Sequence, residues 1–477
     1  MDSTMRRFDT RTQYYKYETI REVARLAWED KLVEHILDIP EKLVPGKKPT
    51  TRCCVYMERA VVGERVKLAM GGDKENPNII EVMEIACDEC PVGGYKVTGM
   101  CRGCLAHRCA DACKFGAITI DSHQKAVIDR TKCKSCGACA KVCPYSAIQN
   151  YVRPCQKACK VDAISMNEDL AAKIDNDKCI SCGACMYQCP FGAISEKSYI
   201  LDIINILKGS EGGKNYKTYA AIAPAIASQF NYVKLGQVVA GLKKLGFDEV
   251  VEVALGADIT TWKETEELLE KDFMTSSCCP AFVDYVHKAF PDLTEYVSHT
   301  LSPMGSIGVL VKEADPTAKI IFIGPCTAKK MEIKKDTISP YIDSAMTFEE
   351  LQALFDSRDI DLTVLDEETL EEASYFGRIF AHSGGLTAAV KQGLSEMGSD
   401  KEVKAVLCDG IEECKIALLK LRKNLLDGNF IEGMACQGGC ISGNGCLTHM
   451  AKSRMDIENY GKQSPNKTIS DALKKLK

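Results

Sequence analysis

Cys133-Lys134-Ser135-Cys136-Gly137-Ala138-Cys139-Ala140-Lys141-Val142-Cys143-Pro144 and Cys179-Ile180-Ser181-Cys182-Gly183-Ala184-Cys185-Met186-Tyr187-Gln188-Cys189-Pro190 are two copies of one pattern, C-x2-C-x2-C-x3-C-P. Three thiolates at this short spacing wrap one corner of a [4Fe-4S] cube, and the fourth reaches across to a neighbouring cube. Zinc spacings do not end in x3-C-P, so neither zinc nor buried free cysteines accounts for two full copies.

Around these runs, sixteen cysteines fall between Cys87 and Cys189. A weak repeat recurs there as Cys113-Lys-Phe-Gly-Ala-Ile118, Cys143-Pro-Tyr-Ser-Ala-Ile148, Cys159-Lys-Val-Asp-Ala-Ile164 and Cys189-Pro-Phe-Gly-Ala-Ile194. Four repeats imply two ferredoxin-like modules of two halves each. Cys101, Cys104, Cys109 and Cys113 carry the same motif with two extra residues in its middle, and pair with the Cys133 run. Cys87, Cys90, Cys155 and Cys159 read as a half-motif split by the intervening module, and join the Cys179 run. Sixteen ligands at four per cube give four accessory clusters, an arrangement that resembles the four-cluster electron-transfer subunits of membrane-associated oxidoreductases.

The whole chain has 477 residues, 26 of them cysteine. Such enrichment suggests disulfides in a small secreted domain, but here the chain is long and the cysteines are grouped, so metal ligation is the better reading. Net charge is −5 and the sequence pI about 5.9, with 61 Lys and Arg scattered among 66 Asp and Glu. That argues against nucleic acid as a partner. Met1-Asp2-Ser3-Thr4-Met5-Arg6-Arg7 leads into a charged segment with no apolar signal region, and no stretch approaches the roughly 20 apolar residues of a membrane helix. The expectation is a cytoplasmic protein with no membrane insertion.

Three parts are expected: residues 1–80, of no assigned role; 81–195, the two cluster-binding modules; and 196–477, an α/β domain. The first part reads as a helix from Thr19 to Leu37, a loop from Pro40 to Pro49 and a patch with Cys53 and Cys54. In the third, Tyr219 to Ala223, Val250 to Ala254 and Lys319 to Ile323 are short apolar runs ending in turns, separated by helical periodicity. Sites in such parallel sheets gather beyond the carboxyl ends of the strands, where Gly324-Pro325-Cys326 falls.

That third part supplies cysteines in Thr275-Ser276-Ser277-Cys278-Cys279-Pro280, Gly324-Pro325-Cys326-Thr327-Ala328-Lys329-Lys330-Met331-Glu332 and Glu432-Gly433-Met434-Ala435-Cys436-Gln437-Gly438-Gly439-Cys440. Four of these thiols could bind another cube, and glycine near Cys440 lets backbone approach it. Spacing alone carries the argument no further.

At these residues the chain resembles the [FeFe]-hydrogenases, whose three motifs read approximately TSCCPxW, MPCxxKxxE and MACxxGCxxGGGQP. The resemblance covers roughly residues 215–450 plus the ferredoxin block, and implies reversible reduction of protons to H2. It implies that Cys279, Cys326, Cys436 and Cys440 hold the cubane of an H-cluster, with Cys440 bridging to a diiron site carrying CO, cyanide and azadithiolate. It also implies that Lys329 donates to a cyanide, where an ammonium outdoes a neutral donor, and that Met434 packs against the diiron site. Proton delivery is implied from Cys278 through Glu264 and Ser298 to Glu267, with Lys271 near the exit. The bland alternatives are a surface lysine at 329, plain core at Met434, a capping box at Thr261-Trp262-Lys263-Glu264, a solvated helix face at Glu267 and a turn at Ser298. Implied partners are ferredoxin or flavodoxin as electron carrier and the hydrogenase maturation enzymes.

Departures from the motifs are Gly324 for Met, Met304 for Gln, Ala225 for Ser, Phe282 for Trp, and Gly443-Asn444-Gly445-Cys446 for GGGQP, a pattern similar to the divergent group B branch. The competing readings are an iron-sulfur scaffold protein, a hydrogen sensor and a plain polyferredoxin. Cys53, Cys54, Cys408, Cys414 and Cys446 have no assigned role.

Overall fold

The strands Glu249–Glu252, Thr218–Ile222, Lys319–Ile323 and Ser344–Met346 lie side by side in that order, all parallel. The computed structural model that shows this describes residues 7–475, so Met1 to Arg6 of the N-terminal reading lie outside the described residues. The three apolar runs are thus strands of one parallel sheet. The first strand closes one residue earlier than its run, and Val253–Ala254 already belong to the helix Val253–Glu270. A second parallel sheet, Met274–Thr275, Phe430–Met434 and Ala405–Asp409 in that order, lies outside the sequence expectation. The fold is α/β, and both sheets aim their carboxyl ends at one region.

A buried ion pair ties the start of this domain to its end. The Arg378 guanidinium, 1% exposed, donates to both oxygens of Glu252 at 2.8 and 3.0 Å and to the carbonyls of Leu370 and Tyr460, while Tyr460 Oη donates to Glu252 at 2.5 Å.

The N-terminal helix runs Arg11–Trp28, not Thr19 to Leu37. A capping box between Thr10 and Gln13 starts it early, and the chain turns at Asp30, φ +60°, before the short helical pieces Leu32–His35 and Ile36–Asp38. Its buried face, with Tyr17, Ile20 and Val23, joins the same core as the first sheet. Lys16 bridges Glu196 and Glu349 beneath it.

In the cysteine block each repeat isoleucine opens a strand: Ile118–Ile120, Ile148–Tyr151, Ile164–Met166 and Ile194–Glu196. The two modules are nested. Ile80–Val82 pairs antiparallel with Ile194–Glu196, and Gly94–Val97 with Ile148–Tyr151, so residues 94–151 form a module inserted within the other. Among the described residues no helix is long and apolar enough to cross a membrane.

Candidate active site

The thiols of the cysteine block collect into groups that cross the motif boundaries. Cys155 sits beside Cys189, Cys87 and Cys90; Cys182 and Cys185 sit with Cys179 and Cys159. In the inserted module Cys109 faces Cys143 and Cys104, while Cys139 faces Cys133 and Cys113. The split half-motif and the interrupted motif are therefore both gathered with the runs they were paired with. No three His, Cys, Asp or Glu side chains among the described residues converge on a point suited to one metal ion; thiols round a cube stand farther apart than that.

Beyond the carboxyl ends of both sheets lies an apolar cavity whose walls include Cys278, Cys279, Cys326, Lys329, Met434, Cys436 and Cys440. Cys279 follows Met274–Thr275 and precedes the helix Pro280–Ala289, which Pro280 starts. Cys326 joins strand Lys319–Ile323 to helix Thr327–Glu332, and Cys436 and Cys440 follow strand Phe430–Met434. Gly439, φ +89°, lets the last loop close: a Cβ there would stand 2.7 Å from Ser383 N. Burial pushes the Cys279, Cys326, Cys436 and Cys440 thiols up from the ordinary value, as it does the neighbouring Cys278.

Lys329 is buried, not a surface lysine. Its Nζ is 2.6 Å from Glu332 Oε2, an ion pair whose angle leaves both atoms without a directed hydrogen bond. Burial works against the charge, yet Glu332 outweighs it and holds the ammonium above the usual lysine range. A buried ammonium with donors to spare, on a wall shared with four thiols, suits an anionic ligand beside a cube. The donor set therefore fits the H-cluster.

Cys182, from the cysteine block, lines the same cavity. Thr327 Oγ1 donates to Ser181 O at 2.7 Å, and Asn444 Nδ2 to Cys182 O at 2.8 Å. Asn444, one of the departures, thus clasps a cluster loop to the site. The others also have places: Ala225 and Met304 are cavity walls. A Cβ at Gly324 would meet the Phe322 ring at 2.5 Å, and one at Gly433 would meet the Phe282 ring at 2.5 Å.

Behind Cys278 the acidic residues form a row with gaps. Ser298 Oγ donates to Glu267 Oε2 at 2.6 Å, and Lys271 Nζ to Glu267 Oε1 at 2.6 Å. Among the described residues no hydrogen bond joins Cys278 to Glu264, whereas Ser298, bonded to Glu267, also stands close enough to Glu264 to favour its ionised form. Glu264 Oε1 instead accepts from Ser277 N and Oγ, both at 3.0 Å, and its Oε2 is buried without a partner. Ser277 and His299, which also touches Glu267, were not singled out by sequence; only their adjacency to Cys278 and Ser298 marks them. Thr261 to Glu264 is no cap, since it lies inside the helix Val253–Glu270 with Thr261 bonded back to Ala257 O. Burial would raise Glu267, but Lys271, Ser298 and His299 hold it at about 2. Burial pushes Glu264 up to about 7 against the pull of Ser277.

Residues 216–444 match the family of the iron only hydrogenase large subunit, C-terminal domain, residues 100–147 a 4Fe-4S dicluster domain, and residues 172–195 a 4Fe-4S binding domain. The chain is iron-only-hydrogenase-like, with ferredoxin-type [4Fe-4S] domains. It is 28% identical to Iron hydrogenase 1 of Clostridium pasteurianum over 68% of this chain and 66% of that one. It is 30% identical to the cytosolic Fe-S cluster assembly factor NAR1 of Eremothecium gossypii over 24% of this chain and 27% of that one. A variant of the [FeFe]-hydrogenase HydA1 from Chlamydomonas reinhardtii superposes with TM-score 0.47 at 20% identity, covering 57% of this chain and 93% of that one. The chain spans about two thirds or less of the length of the curated relatives it matches.

The hydrogenase-like chain makes a direct prediction at Glu264. Because burial penalises the ionised form, the carboxyl stays protonated up to about pH 7. Difference infrared spectra between pH 5 and 9 should show a protonated-carboxyl band that disappears with a midpoint near 7 and is missing from Glu264→Gln. A midpoint near the ordinary glutamate value of 4.5 would remove the buried acid from the row.

Proposed function

We propose that the chain is an [FeFe]-hydrogenase that interconverts protons and electrons with H2, electrons passing through four [4Fe-4S] clusters. The observation that carries this is the shared wall: Cys278, Lys329 and Met434 border the same cavity as Cys279, Cys326, Cys436 and Cys440. A scaffold needs the four thiols and nothing more. Residues 81–195 would be the wire and 196–477 the catalytic domain, with ferredoxin or flavodoxin as the carrier, insertion by maturation enzymes, and a cytoplasmic setting.

Cys279, Cys326, Cys436 and Cys440 would hold the H-cluster, which would supply the redox chemistry that joins protons and electrons. Lys329 supplies fixed positive charge on that wall. Burial pushes the Cys278 thiol well up, so it keeps its proton at Sγ until a base beside it takes it. Glu264, titrating near 7, receives protons from the other side, and Ser298 hands on to Glu267. Lys271 and the exposed His299 keep Glu267 ionised at the surface end. Between Cys278 and Glu264, where no hydrogen bond is made, transfer would need a side-chain rotation or a bridging water.

The second reading, an iron-sulfur assembly scaffold, is favoured by the NAR1 match and by the apolar Ala225 and Met304 walls. One preparation separates them. Protein produced with the maturation enzymes should show infrared bands of metal-bound CO and cyanide, evolve H2, and contain about 22 iron atoms at four per cube. Protein produced without them should contain cubes and evolve none. Absence of the bands after maturation establishes the scaffold, and iron levelling near 14 removes two of the accessory clusters.

A further inference from the structure

Residues 94–152 carry nine Lys and Arg against three Asp, a net charge of +6 in a chain whose total is −5. The positive charge is concentrated on the inserted module. Its small core is its own, separate from the cores of the two sheets, while Cys182 of the enclosing module reaches the cavity. The inserted module is therefore the outer end of the wire.

Lys132 pairs with Asp129, but Arg102, Arg108, Lys114, Lys134 and Lys141 are exposed and form no ion pair among the described residues. Apolar side chains stand among them, with Leu105 95% exposed and Met100 55% exposed. Arg108 and Lys141, on neighbouring helical turns, flank an open depression completed by Asp111, Val142, Cys143 and Pro144. Cys143, one of the proposed cluster thiols, lines the depression, which would therefore border the cluster it holds.

We infer that this face is the docking site of a small acidic electron-carrier protein, seated over the depression between Arg108 and Lys141. The inference rests on the electron-wire reading above, but not on the chemistry in the cavity. An apolar floor beside a redox centre, ringed by charge that is mainly of one sign with Asp111 the exception, is what a short-lived electron-transfer contact uses. The charge steers encounter, and the small apolar area lets the partner leave. The charges surround a patch and do not form the linear stripe that a nucleic-acid backbone requires.

The test mixes full-length protein, with its cubes loaded, with a reduced acidic bacterial ferredoxin and follows cluster reduction by visible absorbance. The rate constant should fall as NaCl is raised. In the double variant Arg108→Glu, Lys141→Glu it should fall about tenfold or more and lose its salt dependence. Arg108→Lys, Lys141→Arg should keep the parent rate, and iron content and reduction by dithionite should be unchanged in both. An unchanged rate in the charge-reversed protein overturns the site, as does equal competition by a short DNA duplex. Because no H2 is measured, loss of this docking site and loss of the hydrogenase reading are seen separately.

Discussion

Cys278→Ala should leave the cofactor bound but slow H2 evolution by roughly 10²–10⁴-fold, the range over which a positioned acid or base contributes. Cys278 lines the cavity but is not in the proposed ligand set, and burial keeps its thiol protonated. Cys278→Asp should retain more activity than the alanine variant, since a carboxyl also relays protons. Cys279→Ala removes a thiol from the cube and should abolish stable cofactor binding. Hydrogen evolution and the CO and cyanide bands, measured on all three, separate gate from ligand. Parental turnover in Cys278→Ala would remove the row from its first member.

Arg378→Met should lower stability by about 3–5 kcal/mol, because it strands the buried Glu252 carboxylate. The same change made with Glu252→Gln should recover much of the loss, since no uncompensated charge is left in the core. Denaturant midpoints of the parent, the single variant and the double variant, at constant iron content, give the comparison. Equal losses in the single and double variants would show that packing of the guanidinium, and not its charge, is what counts.

Much of the molecule was legible because its chemistry is local. The two cysteine runs state their ligand spacing within eleven residues each, and three of the four strands of the first sheet announce themselves in short, mostly apolar runs, Ser344–Met346 being too short to do so. The second sheet hid for physical reasons. Met274–Thr275 is two residues long, Phe430–Met434 contains Glu432 and Gly433, and Leu407 of Ala405–Asp409 is exposed, so none reads as a buried strand. The start of the first helix was obscured by Arg11 to Tyr17, where polar and aromatic residues blur the period. Thr261 to Glu264 has the letters of a cap inside a continuous helix, and only the hydrogen bond to Ala257 distinguishes the two. The site residues found only in the structure, Ser277 and His299, act through contacts made across elements, which spacing does not encode. Cys414 and Cys446 proved to be buried, each bonded to a nearby carbonyl, Met434 O and Ile441 O respectively. Cys54 caps the helix Val55–Ala69, its Sγ accepting from Met57 N at 3.4 Å, while nothing in the structure explains the exposed Cys53.

The nested arrangement of the modules also sets an order of events as the chain is made. Every proposed ligand of the inserted module lies between Cys101 and Cys143; its hairpin Ile118–Ile120 with Ala126–Ile128 closes over a short loop, and its outer pair Gly94–Val97 with Ile148–Tyr151 closes within the module. The enclosing module cannot close until Ile194–Glu196 has emerged to meet Ile80–Val82, more than a hundred residues away. A growing chain can therefore load iron and sulfide into the outer pair of cubes while Cys87 and Cys90 still wait for Cys155 and Cys189. On the proposed reading the wire would be assembled from its surface end inward, and the cavity at its far end completed last, when Cys436 and Cys440 arrive.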